Sequence, residues 1–328
     1  MRKPHFLFWL VLAAIPLAAI PAGARQQPDT SGTVPVSTVV TVLGPKFTPP
    51  PAVSRDDINV SEGDAHKDVT GWVPAQGDKA GLQLAIVIDD SDRKDVGKQF
   101  DDLTNFIKAL PPSTSVGIFY ARDSTISVAS QFSPDHEAVA KTLRLPIGNG
   151  AEMSVYQSLM ALIAGWPVSD ARREILLLAD GFDRLRRERY SPDVQTTVDR
   201  AQQAGIIFHA IFINGVEVLR RDQATQNPNA RPRNPDRPTA VKNVGQGNLN
   251  TLTDGTGGFA YFQGFATPIT LEPFLTQLDL VLKNQYFLGW RTNRSKSSKG
   301  DLRSFKVRTE RGGIEIKAAQ KIFVPGGE

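Results

Sequence analysis

From residue 82 the chain reads Leu-Gln-Leu-Ala-Ile-Val-Ile and then breaks into Asp89, Asp90, Ser91 and Asp92. An apolar run of this length, closed by acids, predicts a strand buried on both faces of a parallel sheet. Val96, Phe100, Leu103, Ile107 and Leu110 then recur at helical spacing, predicting a helix over 94–110 that Pro111 and Pro112 stop. Residues 115–120 and 125–132 read as a strand pair, and Ser133-Pro134-Asp135 opens a short helix. A helix over 153–165, a second buried strand over 174–179, a helix over 192–204 and a third apolar strand over 205–213 follow. A fourth strand at 259–262 and a closing helix at 271–282 complete the section. Strands alternating with helices imply a doubly wound, mostly parallel sheet with right-handed crossovers. Its ligand crevice is expected at the carboxyl ends of the strands.

The pattern changes at both ends. Residues 34–43 alternate as a strand, 46–51 are Pro-rich loop, and 58–60 and 67–73 read as short strands around a Ser-Glu-Gly-Asp turn. After residue 284 the chain is again all-β, with strands over 286–291, 302–309 and 314–323 and a tight turn at Gly312-Gly313. The two terminal sets, 34–80 and 284–328, are therefore expected to pair into a small β-sandwich beside the α/β section 81–283, with Trp72 and Trp290 packed together in its core. Residues 215–245 are rich in Asn, Pro, Gln and Arg with no apolar period, and read as a flexible insertion.

Composition adds a destination. Arg2 and Lys3 precede an apolar stretch over 6–20 and the small-residue signal Ala22-Gly23-Ala24, so residues 1–24 read as a secretory signal peptide and 25–33 as a disordered leader. The expected location is periplasmic or extracellular. No later run is long enough to span a membrane. Cysteine is absent, which excludes disulfides and thiol chemistry. Removing two basic residues with the signal leaves 38 − 2 = 36 basic against 34 acidic. That near balance argues only weakly for anionic partners; nucleic-acid binding needs a clustered basic face, and the expected export weighs further against it.

The candidate chemistry lies at the strand ends. Asp89 and Ser91 stand two residues apart after the first buried strand, as oxygen ligands for a hard cation require. With Asp180-Gly181 after the second, and with this order of strands and helices, residues 82–283 resemble a von Willebrand factor type A domain. The flanking Asp56-Asp57-Ile-Asn-Val-Ser-Glu-Gly63 and Asn284-Gln-Tyr-Phe-Leu-Gly-Trp290 resemble the boundary motifs of a bacterial secreted group related to it. The resemblance implies a metal-ion-dependent adhesion site: an Asp-x-Ser-x-Ser loop, a Thr and a further Asp around Mg²⁺ or Mn²⁺, completed by a carboxylate of a partner protein. Here Asp89, Ser91 and Asp180 match, Arg93 replaces the second Ser, and Met153 falls at the Thr position with Ser154 beside it. Two outcomes stay open. Arg93 pairs with Asp89 or Asp180 and no ion binds, because a guanidinium and a dication repel. Alternatively Arg93 turns to solvent and a weakly held Mg²⁺ or Mn²⁺ keeps several waters.

Arg184, Arg186, Arg187 and Arg189 follow the Asp180 loop and read either as an anion-facing rim or as a solvated charged loop. His209, inside an apolar strand, reads as a core residue. Adjacent Asp89 and Asp90 point to opposite faces and do not form an acid–base pair. Asp254-Gly-Thr-Gly-Gly258 lacks the Lys-Ser/Thr of a P-loop, and no Gly-x-Ser-x-Gly elbow is present. The expected protein is an exported, non-enzymatic binding module with a degenerate metal site. Arg93, Ser154, Arg184, Arg186 and Arg187 face its ligand, and its partner is another protein, an acidic one if the arginine rim engages it. A structural envelope component with a dead site and a hydrolase on a doubly wound sheet are the alternatives.

Overall fold

The computed structural model describes residues 32–91, 99–148, 153–185, 191–214 and 237–327. The expected signal peptide, nearly all of the expected leader, Arg93, Arg186, Arg187, Arg189 and residues 215–236 of the expected insertion lie outside them. From Thr33 to Glu328 the chain forms one compact unit.

A six-stranded sheet organises the centre. Its strands are β5 (Leu82–Asp89), β6 (Thr114–Arg122), β7 (Thr125–Ser133), β8 (Arg172–Ala179), β9 (Ile206–Phe212) and β10 (Ala260–Tyr261), in the spatial order β10-β9-β8-β5-β6-β7. All neighbours run parallel except β7, which returns antiparallel along β6. The chain passes from β5 outward to β6, then crosses back to β8 on the other side. The strand order therefore reverses between β5 and β8, and such a reversal opens a crevice at the carboxyl ends.

Alternation along β5 builds both layers. Leu84, Ile86 and Ile88 pack with Leu103 and Ile107 of α1 (Phe100–Ala109), with Val139 of α2 (His136–Ala140), and with Leu275 and Leu278 of a later helix, Glu272–Lys283. Ala85 and Val87 face the other way, against Tyr156 and Leu159 of α3 (Val155–Ala164) and Val194, Val198 and Ala201 of α4 (Pro192–Ala204). A strand covered by helices on both faces must be apolar throughout, which is the pattern read from residues 82–88.

The insertion is a correction. Residues 237–245 are not loop but the first half of α5 (Arg237–Thr256), a helix the sequence pattern did not reveal. Its buried positions with described side chains include Gly245, Leu249, Leu252, Thr253, Gly255 and Thr256. That is helical spacing, but glycine and threonine stand where a larger apolar residue would signal it. The helix Glu272–Lys283 is therefore α6.

The sandwich has a four-stranded sheet β14-β1-β11-β4, a three-stranded sheet β13-β2-β3 and a two-stranded β12-β15. Its strands are β1 (Thr33–Leu43), β2 (Ile58–Glu62), β3 (Ala65–Lys67), β4 (Val69–Pro74), β11 (Gln285–Asn293), β12 (Asp301–Ser304), β13 (Lys306–Thr309), β14 (Glu315–Ala318) and β15 (Lys321–Val324). Both terminal sets contribute, and β1 pairs antiparallel with β11 over nine residue pairs. Three details differ from expectation. The strand begins at Thr33, inside the supposed leader. The single strands expected at 302–309 and 314–323 each divide, and their halves join different sheets. Buried Phe305 marks the first break: it leaves the ladder to pack on Trp290, ring centroids 5.0 Å apart. Trp72 stacks on Tyr286 at 4.4 Å, so each tryptophan has an aromatic partner of its own.

Candidate functional site

The carboxyl ends of β5 and β8 flank the reversal of strand order and place Asp89 and Asp180 side by side. Asp89 is fully buried. Its Oδ1 accepts from the Ser91 backbone N–H at 2.9 Å and the Ser91 hydroxyl at 2.5 Å. Asp180, 2% exposed, accepts from the Phe182 N–H at 2.9 Å. Between them lies Arg184, with a side chain 1% exposed. Its Nη2 donates to Asp180 Oδ2 at 2.6 Å, and its Nη1 donates to Asp180 Oδ1 at 3.2 Å and Asp89 Oδ2 at 3.4 Å. A planar guanidinium suits this fork-like pairing. Burial pushes the Asp180 carboxyl above its usual range; Arg184 opposes that shift, and Asp89 reinforces it.

Local sequence explains the loop. Gly181 has φ +70° and a backbone carbonyl that accepts from the Tyr156 hydroxyl at 2.6 Å and Asn248 Nδ2 at 3.0 Å. A Cβ on Gly245 would lie 2.1 Å from the Asp180 carbonyl, so α5 reaches the site only through glycine. Asp183 accepts from the Leu185 N–H at 3.1 Å and the Ser191 hydroxyl at 2.5 Å. The Leu185 N–H also reaches the Met153 carbonyl at 3.0 Å, tying this loop to the start of α3. Tyr156, buried beside Asp180 and Asp183, has its hydroxyl held well above the ordinary pKa, mainly by burial.

The predicted site residues separate into four groups. Asp89, Ser91 and Asp180 converge. Ser154 is buried nearby but serves as the N-cap of α3, its hydroxyl accepting from the Gln157 N–H at 3.4 Å, while Met153 is in the core. Arg184, assigned from sequence to an exposed rim, is buried inside the site: this is a correction, and its cause is the acidic pair that needs a counter-charge. Arg93, Arg186 and Arg187 fall outside the described residues. The spacing Asp180-x-x-x-Arg184 is the signal that was available. The same four-residue separation lets a turn fold the guanidinium back onto the carboxylate.

As placed, these residues do not fit an octahedral Mg²⁺ or Mn²⁺ cage. The dication would meet a guanidinium already within 3.4 Å of both carboxylates. Met153 offers no side-chain oxygen at the position where the resemblance implies a Thr, and Mg²⁺ tolerates little departure from octahedral geometry.

Asp90 faces away from Asp89. Arg144 clamps it bidentately at 2.8 and 2.9 Å, the Ile147 N–H donates to it at 2.9 Å, and Arg144 lies 3.7 Å over the Tyr120 ring. Burial alone would raise the Asp90 pKa; the Arg144 and Ile147 hydrogen bonds outweigh it and hold the carboxyl below its ordinary value. This clamp fixes loop 144–148 at the same end of the sheet. Five large apolar side chains stand exposed on loops there: Leu145, Ile147, Leu185, Phe265 and Ile269. His209 is buried in β9, bonded through Nε2 to Glu174 at 2.8 Å, with Nδ1 accepting from the Phe259 N–H at 3.3 Å.

The described fold is a mostly parallel α/β sheet covered by helices on both faces. Among solved structures it is similar to an aerotolerance-related membrane protein from Bacteroides fragilis, at 9% identity and a TM-score of 0.40 over 62% of this chain and 98% of that one. It is also similar to the VWA domain of SpRpn10, at 10% identity and 0.39 over 62% and 97%. The human COPII-coat protein Sec24c is similar at 8% identity and 0.40 over 79% and 44%. No protein-family profile and no curated protein sequence matches the chain. Among the described residues no helix is long and apolar enough to cross a membrane.

Proposed function

We propose that this chain is an exported, non-enzymatic protein-binding module that recognises its partner through the loops at the carboxyl ends of β5, β8 and β10. At the centre of that face the guanidinium of Arg184 takes the electrostatic part that a divalent ion plays in an adhesion site. The observation that carries the reading is the buried Arg184 bonded to both Asp89 and Asp180. A carboxylate partner ligand needs an open cation, and here the cation is already engaged internally. Recognition then falls to the surroundings, where Leu145, Ile147, Leu185, Phe265 and Ile269 offer apolar contact. Isolated surface hydrophobics are ordinary, but several around one crevice mark an interaction face. The partner proposed is accordingly a protein with an apolar contact patch rather than an acidic one.

The test compares immobilised wild type with Ile147→Asp and Leu185→Asp, and with Val168→Asp as a control far from the face. The reading expects a captured protein that the two loop variants lose, that Val168→Asp keeps, and that EDTA does not release. Capture that EDTA abolishes, or that all variants share, refutes it.

A further inference from the structure

One end of the sandwich concentrates the positive charge of the chain. Between residues 291 and 303 stand Arg291, Arg294, Lys296, Lys299 and Arg303 against a single acid, Asp301. From residue 25 the chain has 36 basic and 34 acidic residues, so outside this stretch 36 − 5 = 31 basic residues face 34 − 1 = 33 acidic ones. The stretch therefore carries more than the entire positive excess.

The structure gathers these cations in one place. Strand β11 starts at Gln285, whose side chain bonds Arg172 at the amino end of β8. Its other end, Asn293, lies about 27 Å further along the strand. Arg303 is fixed there: it donates to the Asn293 carbonyl and, at 3.3 Å, to the Arg294 carbonyl. Its Nε lies 3.1 Å from Asp301, which engages the one acid of the stretch. Arg294, Lys296 and Lys299 are exposed, and among the described residues no carboxylate pairs with them. The loop that carries them is ordered by its own serines. Ser295 Oγ accepts from the Ser297 N–H at 3.1 Å, and Ser297 Oγ accepts from the Lys299 N–H at 3.3 Å. The Ser295 N–H donates to the Pro325 carbonyl at 3.1 Å. A backbone ordered in advance leaves less freedom to lose on docking.

The same end receives the N-terminal part of the chain. Thr33 pairs with Asn293, and Arg291 donates to its hydroxyl at 3.1 Å and its carbonyl at 3.2 Å. Residues 21–32 alone separate Thr33 from the apolar run 6–20, and a chain of that length reaches at most about 40 Å.

We propose that this end of the sandwich docks on anionic phospholipid headgroups through Arg294, Lys296 and Lys299. Clustered cations beside an apolar segment are attracted to headgroup phosphates within a Debye length of the surface. An export signal at 6–20 engages the bilayer as it inserts, and so keeps this end of the unit near lipid. That placement rests on the proposed export; the charge cluster does not. Nucleic acid fits less well, because the loop 294–300 has no helix or strand to enter a groove and no aromatic side chain to stack on bases.

The chain from residue 25 contains the whole compact unit Thr33–Glu328. Its co-sedimentation with phosphatidylcholine vesicles, with and without about 30% phosphatidylglycerol, tests the proposal. Partition onto the anionic vesicles alone is expected, with release by high salt. Lys296→Gln/Lys299→Gln is expected to weaken partition about 25-fold, about fivefold for each cation, with an unaltered unfolding midpoint. Lys108→Gln/Lys141→Gln makes the same change of charge on α1 and at the end of α2, and is expected to stay within about twofold of wild type. Absence of binding, equal partition onto both kinds of vesicle, equal losses in the two double variants, or tighter binding of duplex DNA at the same ionic strength overturns it.

Discussion

Replacing Arg184 by Met removes one cation and leaves Asp89 and Asp180 facing each other, both at most 2% exposed. Breaking a buried ion pair by deleting one partner costs about 3–5 kcal/mol, because the remaining charge has no counter-ion. For a folded unit of this length that lowers the midpoint of thermal unfolding by about 6–10 °C. The loss depends on pH with a definite sign. Asp180 already titrates above its unfolded value of 3.8 through burial, and losing Arg184 removes the chief opposing influence. A carboxyl with a raised folded pKa favours the folded state when protonated, and that contribution disappears as pH rises through the folded value. Arg184→Met is therefore expected to fall furthest below wild type at neutral pH and to recover part of the gap toward pH 5. Circular-dichroism melts at the two pH values read both quantities. A variant within about 1 kcal/mol of wild type at neutral pH, or a gap that widens on acidification, refutes the placement of Arg184 as the counter-ion.

Asp90→Asn tests the neighbouring clamp: the wild-type contribution of Asp90 is present above pH 3.8 and disappears as pH falls through its depressed folded value. Acid titration of the variant should be flatter below pH 4, with faster hydrogen exchange in loop 144–148; an unchanged acid limb contradicts the clamp. Gly245→Ala drives a Cβ to 2.1 Å from the Asp180 backbone carbonyl, and is expected to destabilise by about 3 kcal/mol or more in chemical denaturation. Gly247→Ala, with open space at its Cβ, should be neutral or slightly stabilising. Equal behaviour of the two glycine variants refutes the close approach of α5.

Much of this architecture was legible because burial on two faces leaves no choice of residue. Strand β5 and helix α4 have the bounds read from sequence, since acids close the first and Pro192 and Gly205 punctuate the second. Helix α5 was hidden because its inner face uses Gly245 against the Asp180 loop, Gly255 against Val198 of α4, and Thr253 and Thr256, small residues that carry no hydrophobic signal. The sandwich strands divide at Phe305 and near Gln320 because the C-terminal segment must serve several sheets, a tertiary demand that local alternation does not record. At the site, Asp89, Ser91 and Asp180 could be located from the ends of the apolar runs. The counter-ion could not, because the sequence reading gave that role to Arg93 and put Arg184 on the rim; only the turn that brings residue 184 back onto residue 180 distinguishes it.

The central claim concerns what neutralises the acidic pair. Isothermal titration calorimetry with Mg²⁺ and Mn²⁺ on wild type, Arg184→Ser and Arg184→Ser/Asp180→Ala tests it most directly. The account predicts silence from wild type, uptake of one ion by Arg184→Ser, and loss of that uptake when Asp180 is also removed. Wild-type binding of either ion that Asp180→Ala abolishes would contradict it and return the site to a metal-bridged mechanism.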